Sequence, residues 1–252
     1  MSRNSAKRFV TISCFHGEMD GFYAVGEDAL VAVDVIRATT TAVTAVALGR
    51  KCFPVSSLES ATLLEATLPR PLLAGELGGH MPHGFDITNS PAAVAQRNDI
   101  ERPMILLSTS GTKLVCAAKG DVYLGCLRNY TALIKYLASH HANILLGGAG
   151  TRGEFREEDA LCCAWLAAGL VDAGYAVRDG HTRDVIDQWA GRPVNAFVGG
   201  KSTQYLLETG QLDDLQFILD HVDDLDWVAY RAGDEVVRMC DTQDVELGSI
   251  SL

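Results

Sequence analysis

The sequence predicts an α/β fold, three-layer α/β/α, around a largely parallel or mixed sheet. Short apolar runs alternate with stretches of helical period over roughly 120 residues, the pattern of strands covered by helices on both faces. The connections between them are mostly short and rich in glycine or hydroxyl residues. With 48% hydrophobic and 21% charged residues, the 252-residue chain can bury a large core and lies far from a disordered composition. It shows no Pro-, Gly- or Ser-rich linker, internal repeat or low-complexity tract, so residues 1–252 read as a single domain.

Ala29-Leu30-Val31-Ala32-Val33 is an unbroken apolar run, expected of a strand buried on both faces, and it stops at Asp34. From Thr39 to Leu48 apolar residues recur at Val43, Val46 and Ala47, and Gly49 stands where a helix ends. Met104-Ile105-Leu106-Leu107 repeats the theme, passing through Ser108-Thr109-Ser110-Gly111-Thr112 into a helix that reaches Ala118. Asp121-Val122-Tyr123-Leu124 leads by Gly125 and Cys126 to a helix from Tyr130 to Ser139. Ile144-Leu145-Leu146 precedes Gly147-Gly148-Ala149-Gly150, and Glu157-Glu158-Asp159 opens the longest amphipathic stretch, running to about Ala173. Right-handed crossovers would gather these loops at the carboxyl edge of the sheet, where open α/β sheets bind ligands. Beyond Arg178 the chain is more charged. There, 192–200 reads as a loop with a short strand, 202–209 as a helix and 213–224 as a helix with an acidic face.

Charge excludes some partners. Lys and Arg number 21 against 32 Asp and Glu, a formal net charge of −11, which disfavours nucleic acid and anionic membrane surfaces. The basic start, Met1 to Arg8, lacks the apolar stretch of a signal peptide, and no run approaches the roughly 20 apolar residues of a membrane helix. A soluble cytoplasmic protein is the expectation. Seven cysteines form no Cys-x-x-Cys pair, suiting neither a disulfide framework nor a zinc knuckle, and read as reduced core residues.

Several residues carry chemistry, each with a plainer structural reading beside it. Asp34 at a strand end, with Arg37 and Thr39-Thr40-Thr41 opening a helix, offers a carboxylate for a hard metal or a nucleophile and a guanidinium for an anion. It also reads as a helix cap with a surface arginine. An Asp-x-Asp phosphatase motif would need a second Asp where Ile36 stands. The segment from Gly75 to Pro91 is a long glycine-dense loop with Glu76, Asp86, His80 and His83, and loops of that length are usually functional. Within it, Ser90-Pro91 has the form of a helix cap and first turn. Ser108 to Thr112 would cradle phosphate oxygens or simply cap a helix. Gly147 to Gly153 lacks a dinucleotide fingerprint. Glu157, Glu158 and Asp159 suit a helix N-terminus, or oxygen ligation of Mg2+. Cys162 and Cys163, on the same helix, read as core.

Taken together, Asp34-Val35-Ile36-Arg37-Ala38-Thr39-Thr40-Thr41, Gly75-Glu76, Gly84-Phe85-Asp86 with Asn89-Ser90-Pro91, Ser108-Thr109-Ser110-Gly111-Thr112, Asn129 and Glu158-Asp159 resemble the 2-phosphosulfolactate phosphatase (ComB) family. Ser110, Thr88 and Leu77 depart from the residues usual there. The resemblance implies a ComB-like α/β fold and a Mg2+-dependent phosphatase for the ester of a small 2-hydroxy acid. In the family's reaction 2-phosphosulfolactate and water give sulfolactate and phosphate, in coenzyme M biosynthesis. It also implies catalytic roles for Asp34, Arg37 and Glu76. Substrate contacts fall on Thr39, Asn89, Ser90, Thr109, Ser110, Gly111, Thr112 and Asn129, and metal ligands on Asp34, Glu76, Asp86, Glu158 and Asp159. Either water attacks phosphorus directly, or Asp34 is phosphorylated first. A phosphatase for another small phosphorylated acid, a non-catalytic binder of an anionic metabolite and a nucleotide site are the alternatives. The expected partner is a small anionic phosphorylated substrate, with homodimerisation allowed and no nucleic acid or membrane.

Overall fold

A ten-stranded sheet carries the fold among the residues that the computed structural model describes, 7–14, 28–150 and 154–239. The basic start to residue 6, Thr151 to Gly153 and Cys240 lie outside them. In chain order the strands are β1 Phe9–Cys14, β2 Ala29–Val33, β3 Cys52–Val55, β4 Leu72–Gly75 and β5 Met104–Leu107. They continue as β6 Asp121–Gly125, β7 Asn143–Gly148, β8 Ala176–Val177, β9 Val228–Ala232 and β10 Glu235–Met239. The helices are α1 Ala38–Ala47, α2 Leu58–Glu65, α3 Pro91–Ala95, α4 Gly111–Ala117 and α5 Tyr130–His140. After them come α6 Glu157–Asp172, α7 Gly180–Trp189, α8 Lys201–Glu208 and α9 Leu212–Asp220.

Three layers follow from the strands' period of two. In β2, Ala29, Val31 and Val33 enter one core with Leu161, Leu166 and Leu170 of α6, whereas Leu30 and Ala32 enter another with Val43 of α1 and Leu114 of α4. β7 divides the same way, Ile144 and Leu146 against Leu145. A strand with apolar residues at every position can only be satisfied by helices on both sides. Each fully buried Val or Leu is worth roughly 1.5–3 kcal/mol against exposure.

The sheet is mixed. Strand order is β4-β5-β3-β10-β9-β6-β2-β7-β1-β8. β6, β2, β7, β1 and β8 run parallel, as do β3, β5 and β4. Between the groups lies the β9–β10 hairpin, turned at Gly233 (φ +63°), and three successive antiparallel pairings set the groups in opposite senses. β10 meets β3 through a single residue pair, Val236 with Cys52. Both groups nonetheless pack apolar residues into the core that contains α1. Residues just past β2, β4, β5 and β7 line one cavity.

Two sequence expectations change. Residues 194–197 form a 3-10 turn where a short strand was expected. The last helix stops at Asp220, because His221, at φ −115° and ψ +76°, has already left helical geometry, and Asp223 follows at φ +54°. Val222 and Leu225, whose apolarity prolongs the periodic pattern, pack on the cores from a loop. The long segment after β4 is held back on the sheet, with Asp86 N–H donating to Leu73 O at 2.9 Å and Ile87 bridged to Ala74. No helix among the described residues is long and apolar enough to cross a membrane.

Candidate active site

A cavity of about 270 Å3 opens where β2, β4, β5 and β7 end, walled by the starts of α6 and α8. Asp34 directly follows β2. Its carboxylate accepts hydrogen bonds from the backbone N–H groups of Ala38 and Gly111, the first residues of α1 and α4. Two helix N-termini therefore bear on one carboxylate. Thr39 fixes the turn: its hydroxyl donates to Asp34 O (2.8 Å) or Gly125 O (2.7 Å) and accepts from Asp34 N–H (2.9 Å). Gly111 is needed for close approach, since a Cβ there would lie 2.1 Å from Asp34 Oδ2. Burial pushes the Asp34 carboxyl up to about 6, the charge of Glu76 adding to it and the N–H donors and Arg37 opposing.

Glu76, just past β4, is clasped by the loop after β5. Its Oε1 accepts from Thr109 N–H at 2.7 Å, and its Oε2 from the Thr109 hydroxyl at 2.7 Å and Gly79 N–H at 2.8 Å. Tyr205 of α8 donates its phenol to Gly79 O. Asp159, in the first turn of α6, accepts from Val35 N–H at 2.8 Å and Gly150 N–H at 3.3 Å. Burial, then the charges of Glu158 and Asp34, hold its carboxyl well above the usual range. Glu158 is pushed up to about 7 by burial, a Ser202 hydrogen bond opposing and Glu157 and Asp34 adding. Its Oε2 is buried with no partner among the described residues.

Arg37 borders the cavity and is 4% exposed. Its Nη1 donates to Gln211 Oε1 at 2.5 Å and pairs with buried Asp214 of α9. The other oxygen of Asp214 accepts from the Ser90 hydroxyl at 2.5 Å and Ala92 N–H at 3.1 Å. The Ile36–Arg37 peptide is cis.

Of the residues singled out by sequence, the cavity brings together Asp34, Arg37, Glu76, Asn89, Thr109, Ser110 and Asp159. Others serve the framework. Thr39 is spent on the Asp34 turn, and Ser90 caps α3 through Ala93 N–H (3.0 Å). Thr112 exchanges bonds with Ser108, and Asn129 spans Cys126 N–H and Leu124 O. Asp86 accepts from Leu73 N–H (3.0 Å) and pairs with Arg102 (2.8 Å), outside the cavity lining. The loop expected to cradle phosphate instead gives its Thr109 and Gly111 N–H groups to the protein's own carboxylates. An N–H cluster at a strand end binds whichever oxyanion the tertiary structure brings to it.

Sequence reasoning missed Arg156, Lys201, Ser202 and Tyr205 on the cavity wall, and Gln211 and Asp214 behind Arg37. One signal was present: Asp214 lies four residues before Ile218, on the buried stripe of α9.

The cavity's carboxylates, Asp34, Glu76 and Asp159, offer oxygen donors only, which suits a hard divalent cation, whereas Glu158 is buried outside the lining. Among the described residues no three His, Cys, Asp or Glu side chains form a ready cage, and exposed His80 and His83 join none. Mg2+ commonly takes one or two carboxylates and completes its shell with water and phosphate oxygens.

A pH dependence follows for the metal-free protein. Asp34 rises from 3.8 to about 6 and Glu158 from 4.5 to about 7, so both disfavour the charged folded form. Their stabilising contribution is complete below about pH 4 and disappears as pH climbs through 6 to 7, by about 1.4 kcal/mol for each unit of displacement. In EDTA the melting temperature of Asp34→Asn should fall less steeply than that of the native chain between pH 4 and 7. Parallel curves would refute this.

Fold and site together define an α/β/α protein with a small polar cavity lined by three carboxylates and three cations. The chain belongs to the 2-phosphosulpholactate phosphatase family, whose model matches residues 22–232. It is 38% identical over 149 residues to a "Probable 2-phosphosulfolactate phosphatase" of Carboxydothermus hydrogenoformans, covering 58% of this chain and 62% of that protein, less than two thirds of its length. It is 30% identical over 201 residues to a protein of the same name from Synechocystis, covering 75% of this chain and 83% of the relative. The "2-phosphosulfolactate phosphatase" of Methanothermobacter thermautotrophicus is 30% identical over 200 residues, covering 77% and 83%.

Proposed function

We propose that this chain is a Mg2+-dependent phosphatase that hydrolyses the phosphate ester of a small 2-hydroxy acid, as the names of its relatives indicate for 2-phosphosulfolactate. The observation that carries this reading is the convergence of Asp34, Glu76 and Asp159 on one small cavity beside Arg37. Phosphoryl transfer depends chiefly on positioning and on stabilising the charge spread over the phosphoryl oxygens. Each acid is held by fixed backbone donors, so the cavity is organised before substrate enters. Arg37, held by Asp214, brings a guanidinium of set orientation. When bound, Mg2+ would be held by Asp34 and Asp159, with Glu76 close by, and would supply neutralisation of phosphoryl charge. A cavity of about 270 Å3 suits a ligand of few heavy atoms. The thiols of Cys52, Cys116, Cys126, Cys162 and Cys163 are free, in keeping with a reducing, cytoplasmic setting.

Release of inorganic phosphate from 2-phosphosulfolactate, phospholactate and phosphoglycerate tests the reading. Release should stop in EDTA and return with Mg2+, and Asp34→Asn should lower it by about 100-fold or more. Ligand binding without metal-dependent release from any ester would identify a binder instead.

A further inference from the structure

Tyr205 has no part in the scheme above, yet it grips a turn that itself touches Glu76. Leu77 and His80 exchange backbone hydrogen bonds at 2.9 and 3.1 Å, closing a two-residue turn of Gly78 (φ +60°) and Gly79 (φ +87°). Positive φ at both central residues is the geometry of a tight hairpin turn, which glycine enters without steric cost. Both glycines line the cavity. Their N–H groups belong to the clasp around Glu76: Gly78 N–H donates to Thr109 Oγ1 at 2.7 Å and Gly79 N–H to Glu76 Oε2 at 2.8 Å. The direction of the Glu76 carboxylate therefore depends on how this turn lies. Two adjacent glycines also leave the turn with more backbone freedom than any other pair would.

The restraint comes from a helix far along the chain. α8 is anchored by Thr203 and Leu206, 4% and 0% exposed, and between them Tyr205 is half-buried at the cavity, donating its phenol to Gly79 O from 126 positions away. The ring also lies against the glycine, since a Cβ at Gly79 would stand 2.9 Å from Tyr205 Oη and 3.1 Å from its Cε2. Position 79 thus needs glycine twice, for a left-handed backbone and for the close approach of a ring. The Gly79 carbonyl and N–H flank one Cα, so fixing the first restrains the second. The chain of contacts runs from α8 through Tyr205 and Gly79 to Glu76.

We propose that Tyr205 is a positioning residue for Glu76. Its phenol, acting through Gly79, holds the turn so that the Gly79 N–H stays on Glu76 Oε2 and the carboxylate keeps one orientation at the cavity. This rests on the hydrolytic reading above, in which Glu76 stands close to the cation and the phosphoryl group. A group misplaced beside reacting atoms slows the chemical step more than it weakens substrate binding.

Tyr205→Phe removes the phenol oxygen and keeps the ring on Gly79. With phospholactate and saturating Mg2+, kcat should fall roughly 3- to 10-fold, the scale of one hydrogen bond, while KM stays near its native value. The decisive comparison is a double-mutant cycle with Glu76→Ala. In that background Tyr205→Phe should change kcat by less than about twofold, because the residue it acts through is already gone. Equal losses in both backgrounds, a loss carried by KM, or an unchanged kcat in Tyr205→Phe would overturn the proposal. The same cycle read as Mg2+ affinity by calorimetry needs no turnover, and serves if Glu76→Ala leaves no measurable rate or if no ester is hydrolysed at all. Mg2+ binding weakened roughly 3- to 10-fold by Tyr205→Phe only where Glu76 is present would uphold the positioning role, even with the hydrolytic reading lost. No change in Mg2+ affinity, or the same change in both backgrounds, would overturn it.

Discussion

Gly111→Ala should cut kcat/KM for a 2-phospho-acid by about 100-fold, the scale of a misplacement near 1 Å in a reacting group. Alanine is the better helix former, by about 1 kcal/mol, so propensity alone would make the change favourable at the first position of α4. Sterics decide otherwise. The new methyl would stand 2.1 Å from Asp34 Oδ2 and 2.8 Å from Ala38 Cβ, both inside contact distance. Either the Asp34 carboxylate swings away or α4 shifts, and both outcomes disturb the bond from Gly111 N–H. Steady-state rates with Mg2+ are the measurement. Activity within twofold of the native chain would show that Asp34 is not needed where it stands.

Asp214→Ala should be the most destabilising single change near the cavity. Asp214 and Arg37 are 2% and 4% exposed, and truncation leaves a buried guanidinium without its counterion. Breaking a buried pair from one side costs about 3–5 kcal/mol. The Ser90 hydroxyl and Ala92 N–H also lose an acceptor, so the start of α3 loosens with it. For a domain of this size the melting temperature should drop by roughly 6–20 °C. Replacing both partners with apolar residues, Arg37→Met with Asp214→Leu, should recover much of that stability, since neither charge then remains buried. Such a protein should stay inactive. A loss under about 1 kcal/mol in Asp214→Ala would mean that water or Gln211 already carries the guanidinium.

Much of the framework is legible without coordinates. β2 and β5 occupy the apolar runs read for them, because a strand buried on both faces needs every residue apolar and few other elements tolerate that. α5 and α6 end within a residue of their periodic patterns. Asp34, Glu76, Thr109 and Asp159 stand at strand ends or a helix start, where a side chain reaches a cavity at a carboxyl edge. The β9–β10 hairpin was not legible as the element that reverses the sheet, since strand direction is settled by pairing between residues far apart in sequence. Nor could Thr112, Asn129 and Asp86 be told from ligand contacts. Hydroxyl, amide and carboxylate groups are equally competent to bind a substrate or their own backbone, and the nearest partner decides.

The sequence by itself determined the strands and helices with an unbroken apolar run or a clear helical period, β2, β5, β6, β7, α1, α5 and α6 among them, the acidic character of the chain and a short set of candidate site residues. These are local properties, set by apolar period and side-chain type. Only the tertiary structure decided which of those residues share a cavity, that Arg37 is answered by Asp214 from 177 positions away, and that Arg156 and Lys201 join it. Charge pairing and burial depend on distance in space, and α9 reaches the site through Arg37 and Ser90, far from it in sequence, as α8 does through Gly79.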